Sequence, residues 1–269
     1  MSTERCTVEP GVELHLEIDD YTDPWSSPDT VLMVHGLAES TLAWRGWVPH
    51  LARRHRVARL DLRGFGRSTP MRADYRWDMN RLLDDLAAVI DFLGCRRVHL
   101  VGAKSGGSMV LTMAARRPAL VQSVIAVTPP VVAAAGTTQW LEQIEAEGVE
   151  AWARTTMAGR LGSRASAAEV EYWVRNIQGR TPLSTLQSYL RWVPGLDIRE
   201  EVLAIRCPSL IVTTTGSGLR TVDSVKAWQQ KLARSELLVL EGDAWHAAGA
   251  YPDACATATA AFLARVEQV

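Results

Sequence analysis

The stretch from Val98 to Pro118, VHLVGAKSGGSMVLTMAARRP, constrains the chain most, because its hydrophobic period changes within a few residues. Val98, Leu100 and Val101 form an apolar run that breaks at Gly102. After Gly106-Gly107, the apolar residues Met109, Val110, Met113 and Ala114 recur at helical spacing. A buried strand must therefore turn sharply into a helix, and the glycines leave room for a strained turn. A turn of this kind, G-x-S-x-G in its usual form, exposes its central side chain above the end of a sheet. In Gly102-Ala103-Lys104-Ser105-Gly106 the central residue is a lysine, whereas a second frame, Ala103-Lys104-Ser105-Gly106-Gly107, would centre Ser105.

This stretch resembles the nucleophile elbow of the α/β-hydrolase superfamily, whose members commonly read V-x-L-V-G-H-S-M-G-G and reach an A-x-x-x-P beyond the serine. Laid on without a gap, both ends place Lys104 at the serine and Ser105 one residue later. Three further runs are similar to the same superfamily. Val31-Leu32-Met33-Val34 leads into His35-Gly36-Leu37-Ala38-Glu39-Ser40, an H-G-x loop; Asp61 to Ser68 reads D-x-R-G-x-G-x-S; and Glu241 to His246, followed by Pro252-Asp253, approximates G-x-G-H before P-E. The resemblance implies an α/β fold of the α/β-hydrolase type, with a mostly parallel central sheet, helices on both faces and a helical cap. It implies an oxyanion hole from the backbone N–H groups of Leu37 and Ser105, a catalytic His246, and loop-shaping roles for His35, Asp61 and Arg63. The family's carboxylate is missing from the turn after Leu210-Ile211-Val212, which reads Thr213 to Arg220, and the alternative position holds Thr128. Asp223 lies nearby but in the following helix, which speaks against it as the replacement and leaves another carboxylate open.

Periodicity organises the rest. Val12 to Asp19 alternates as an early antiparallel strand, Arg56 to Leu60 and Val121 to Val127 read as strands, and Leu237 to Leu240 as the last one. A helix is expected around Ala43 to Leu51. Met79 to Leu93 keeps one apolar face at spacings of three and four, stopped by Gly94. From Val131 to Leu203 the pattern is helical and aromatic without strand signals, so residues 1–130 and 204–269 are expected to form the core and 131–203 a cap inserted between core strands. Trp140, Met157, Trp173 and Trp245 are the candidate walls of an apolar pocket beneath it.

A chain of 269 residues with 47% apolar content suffices for one large domain. A net charge of −1 without runs of like charge argues against nucleic acid or an anionic membrane surface as the main partner. The start, MSTERCTVEPG, lacks a basic segment followed by an apolar one, and no stretch approaches the ~18 apolar residues of a membrane span, so a soluble cytoplasmic protein is expected. Cys6, Cys95, Cys207 and Cys255 are scattered without C-x-x-C, which fits free thiols rather than a metal site, and no cofactor is called for. Oligomeric state is not legible.

Of 29 basic residues only Lys104, Lys226 and Lys231 are lysine, leaving 26 arginines. Arginine stays charged at any working pH, whereas a desolvated lysine amine loses its proton. A lysine of ordinary pKa ~10.4 is inert as base or nucleophile at neutrality. The N-terminus of a helix and an apolar roof would both depress that value. Acyl transfer to an amine gives an inert amide, which disfavours the usual two-step esterase route. Two enzymatic routes remain for a small carbonyl substrate. Lys104 forms an imine and cleaves a neighbouring bond, C–C first among them, with His246 moving protons; or it assists ester or lactone hydrolysis or elimination without a covalent bond. A retired hydrolase kept as a ligand-binding protein, a Ser105 nucleophile and an introduced lysine are the other readings.

Overall fold

Eight strands form one sheet in the computed structural model, which describes residues 1–133 and 136–268. They are β1 (Ser2–Glu9), β2 (Val12–Asp19), β3 (Thr30–Val34), β4 (Arg56–Leu60), β5 (Val98–Ala103), β6 (Val121–Val127), β7 (Ser209–Thr214) and β8 (Ser235–Leu240), in the spatial order β1-β2-β4-β3-β5-β6-β7-β8. β1 pairs antiparallel with β2 and β2 antiparallel with β4; every pairing from β4 to β8 is parallel. β1 has no counterpart in the sequence reading. Its residues, STERCTVE, are largely polar and exposed, so an edge strand here carries no hydrophobic alternation to read.

The central strands are buried on both faces, which explains their unbroken apolar runs. Val31, Met33, Val57, Val101, Ile125 and Val127 point to one side, under α1 (Val48–Leu51) and the C-terminal helix. Leu32, Val34, Leu100, Val124 and Ala126 point to the other, under α2 (Met79–Phe92) and α3 (Ser105–Arg116). The helix expected at Ala43 to Leu51 is split: a 3-10 turn spans Thr41–Trp44, and α1 begins only at Val48, with Pro49 in its first turn.

Between β6 and β7 lie α4 (Thr137–Glu147), α5 (Val149–Leu161), α6 (Ala167–Asn176) and α7 (Leu183–Trp192). Among the described residues this stretch holds no strand beyond an isolated bridge between Val132 and Asp197. α8 (Val222–Gln229) joins β7 to β8, and α9 (Ala247–Ala250) and α10 (Pro252–Val266) follow. No helix among the described residues is long and apolar enough to cross a membrane.

Two of the motif loops are built around buried side chains. Asp61 accepts from Thr41 N at 2.5 Å and Arg67 N at 2.8 Å, and a Cβ on Gly66 would lie 2.3 Å from its carboxylate, so only glycine lets this loop close. His35 is wholly buried, with Nε2 accepting from Leu62 N at 3.0 Å and Nδ1 facing its neighbour's Gly36 O at 2.7 Å. Burial holds its pKa below the ordinary value, and the neutral ring ties the H-G loop to the end of β4.

Candidate active site

Three non-glycine residues have positive φ among the described residues: Ala38 (59°), Lys104 (54°) and Thr128 (47°). They follow β3, β5 and β6, adjacent in the sheet, so backbone strain gathers where the C-terminal ends of parallel strands meet. Lys104 is the turn between β5 and α3, at φ 54° and ψ −125°, while Ser105 is the first residue of the helix. Close packing enforces the turn. A Cβ on Gly106 would sit 2.3 Å from the carbonyl oxygens of Val34 and His35, and one on Gly102 2.4 Å from Gly106 O.

The Lys104 side chain enters a partly open cavity of about 60 Å³ lined by Leu37, Ser105, Thr128, Pro130, Trp140 and Trp245 among others. Nζ donates to Trp245 O at 2.8 Å and lies 5.1 Å from the centre of the Trp245 ring. Among the described residues no carboxylate oxygen lies within 4 Å of it. Burial, then the nearby Arg160 charge, lower the Lys104 pKa to about 7, with Arg220 adding to them and Glu39 opposing. Leu37 and Ser105 face the same space from the floor, and the Ser105 N–H, at the start of α3, has no acceptor within its helix.

A buried carboxylate of the H-G loop meets His246. Glu39 is completely buried; Oε1 lies 2.6 Å from His246 Nε2, and Oε2 accepts from Gly36 N at 3.0 Å. His246 Nδ1 accepts from Gly249 N at 3.0 Å, so the proton of the neutral ring resides on Nε2 and is donated to Glu39. Burial pushes the Glu39 carboxyl up, but His246 and then Arg160 outweigh it and bring it down to about 2.

Arg160 enters from α5. It lies 3.9 Å from Glu39 Oε1 and within 6 Å of the rings of Trp140, Trp152 and Trp245. With its amide oxygen turned inward, Gln178 accepts from Arg160 Nε at 2.8 Å. Burial lowers this guanidinium to about 10 despite Glu39. The same helix grips the loop after β8: Gly159 O accepts from Trp245 N at 3.3 Å and Arg160 O from His246 N at 3.0 Å.

Several expectations need correction. Asp223 is exposed on the first turn of α8 and does not replace the acid; Glu39 holds His246 instead. Of the four proposed pocket walls, Trp140 and Trp245 line the cavity. Met157 does not, being fully buried in the hydrophobic core, and Trp173 packs edge-on against His246 at 5.3 Å. Helical periodicity marks a buried face but cannot say which side of it meets the cavity. His246 reaches the site only through Glu39, because both ring nitrogens are already engaged and the ring does not line the cavity. Glu39 had one readable sign, a lone acid in an otherwise small and apolar loop; Arg160 and Arg220 had none among 26 arginines.

The model of the alpha/beta hydrolase fold family matches residues 29–249, and the chain belongs to that family. It is similar to a pimeloyl-[acyl-carrier protein] methyl ester esterase from Aeromonas hydrophila, 26% identical over 229 residues that cover 80% of this chain and 87% of the relative. It is also similar to a putative carbamate hydrolase from Caulobacter, 25% identical, covering 80% of this chain and 82% of the relative. Among solved structures, an enol-lactonase from Burkholderia xenovorans superposes with a TM-score of 0.84 at 20% identity, covering 96% of this chain and 99% of that one, a likeness of fold alone.

Proposed function

We propose that the protein is an enzyme that cleaves a bond, C–C foremost, next to the carbonyl of a small, largely apolar substrate, with Lys104 in the place of the family's serine. The supporting observation is an amine at the strained turn, lowered to about 7, facing an apolar cavity and bonded to a backbone carbonyl rather than to a carboxylate. At neutral pH a large fraction of such an amine is unprotonated and nucleophilic.

The neutral Nζ adds to the substrate carbonyl carbon, and the oxygen takes up negative charge opposite the Leu37 and Ser105 N–H groups. One proton passes from nitrogen to the oxygen and a second reaches it from solvent, so that the oxygen leaves as water and a protonated imine remains. The bond one carbon away then breaks as a hydroxyl on the departing carbon gives its proton to water: that carbon leaves as a carbonyl, the electron pair of the bond passes into the iminium to give an enamine, and protonation at carbon followed by hydrolysis releases the second product and returns the amine. With His246 engaged by Glu39 and Gly249, proton transfer falls to the Lys104 amine and water. Glu39 and His246 are positioning residues that fix the H-G loop and the loop after β8.

One observation favours a second reading. An Nζ over the face of Trp245 suits an ammonium, which would stabilise the oxyanion of an ester or lactone without bonding to it. The relatives named as esterase and lactonase act on such groups. Borohydride reduction with butan-2-one separates the two. The imine reading expects one reduced adduct, mapped by peptide mass to Lys104 and absent in Lys104→Met. Ester turnover that needs Lys104 but yields no adduct would overturn it in favour of the ammonium.

A further inference from the structure

Three basic side chains face the cavity: Lys104, Arg160 and Arg220. Arg160 has Glu39 at 3.9 Å; Arg220, among the described residues, has no carboxylate within 4 Å. Arg220 bonds only to backbone carbonyls, through Nη1 to Leu219 O at 2.8 Å and through Nη2 to Val132 O at 2.5 Å and Ala133 O at 3.3 Å. Those contacts fix the guanidinium against the loop after β6 and leave Nε–H and one Nη1–H of its five donors unused. They supply hydrogen bonds but no opposite charge. Half-buried beside Pro130, Leu196 and Leu219, the group lies close enough to Lys104 to weigh against the ammonium. An apolar chamber with more fixed positive than negative charge favours a ligand that brings the missing charge.

We infer that the substrate is an oxo acid, its carbonyl at Lys104 and its carboxylate seated against Arg220. This deepens the carbonyl-substrate reading above and rests on it. Pairing with Arg220 stabilises the carboxylate in the ground state and opposes its loss as carbon dioxide, so that group is a handle and the bond broken lies elsewhere. A charge-assisted hydrogen bond from Arg220, with the attraction between the two charges, corresponds here to a preference for the acid over its neutral ester of about 10- to 100-fold.

The test titrates the whole chain calorimetrically with pyruvate, acetoacetate and 4-oxopentanoate, each beside its methyl ester. At least one acid is expected to bind about 10- to 100-fold more tightly than its ester. Arg220→Gln should erase that preference, and Arg220→Lys, which keeps the charge but not the backbone contacts that fix the guanidinium, should keep part of it. Equal affinity for acid and ester across the series, no acid binding at all, or an undiminished preference in Arg220→Gln would overturn the inference. Borohydride trapping of the esters keeps the two readings apart. Adducts at Lys104 without an acid preference sink the handle and leave the imine. An acid preference lost in Arg220→Gln without any adduct sinks the imine and leaves the handle.

Discussion

Two turns of the motif loops bury a basic side chain, and they treat it in opposite ways. Arg63, in the loop after β4, is fully buried and clamped by Asp85 through Nε at 2.8 Å and Nη2 at 2.6 Å, with Glu9 on Nη1. Burial alone would lower its pKa, yet the two carboxylates hold it above the ordinary value. Lys104, after β5, has a backbone carbonyl, an indole face and two guanidiniums for neighbours, and falls to about 7. Where the charge is structural, the chain uses a residue that cannot titrate and supplies its counter-ions. At the elbow it uses one that can, and withholds them. A satisfied ion pair holds a loop; an amine without a partner is a reagent whose cost is carried by the rest of the fold.

The contrast is broken most severely at Lys104. Lys104→Met should lower turnover by about a thousandfold or more, measured as kcat/KM. The same substitution should stabilise the fold by roughly 2–4 kcal/mol at pH 6, because a Lys104 with a pKa of about 7 resists the proton that the unfolded chain binds. That gap should close as the pH rises from about 7 towards 10, where both states of the wild-type lysine become neutral. A variant that is inactive and less stable at every pH would remove the contrast.

Arg63→Met strands two carboxylates and should cost about 3–5 kcal/mol in urea unfolding, while the protein that stays folded keeps its Lys104 adduct. Glu39→Gln should cost roughly 3 kcal/mol, since its carboxyl is lowered from 4.5 to about 2 and an amide oxygen cannot serve both His246 and Gly36. This stabilisation is fully present above about pH 5 and lost as the pH falls through about 2, so melting curves of wild type and variant should converge in strong acid. The smallest effect is expected from Gly159→Ala. Its Cβ would lie 2.6 Å from Trp245 Nε1, and the tilted indole should raise KM a few-fold with little change in kcat.

Much of this was legible in the chain itself, and for a common reason. The turn at Lys104 is written in a change of hydrophobic period between glycines, and the parallel strands in apolar runs that only two-sided burial explains. β1 escaped because an exposed edge needs no apolar pattern, and Met157 was misplaced because its apolar character says only that it is buried. The pairing of Glu39 with His246 is not written in the sequence, because the two meet across 207 residues only where separate strand ends converge.

Local order along the chain thus determined the class of fold, the apex residue and the loops that surround it, since turns, strands and helices depend on neighbours a few positions apart. What Lys104 can do was decided only by the tertiary structure. Its proton affinity is set first by burial and then by Arg160 from α5, Glu39 from beyond β3 and Arg220 from beyond β7, none of which surrounds it until the sheet has brought its strand ends together. Charge acts through space, and sequence separation does not record it.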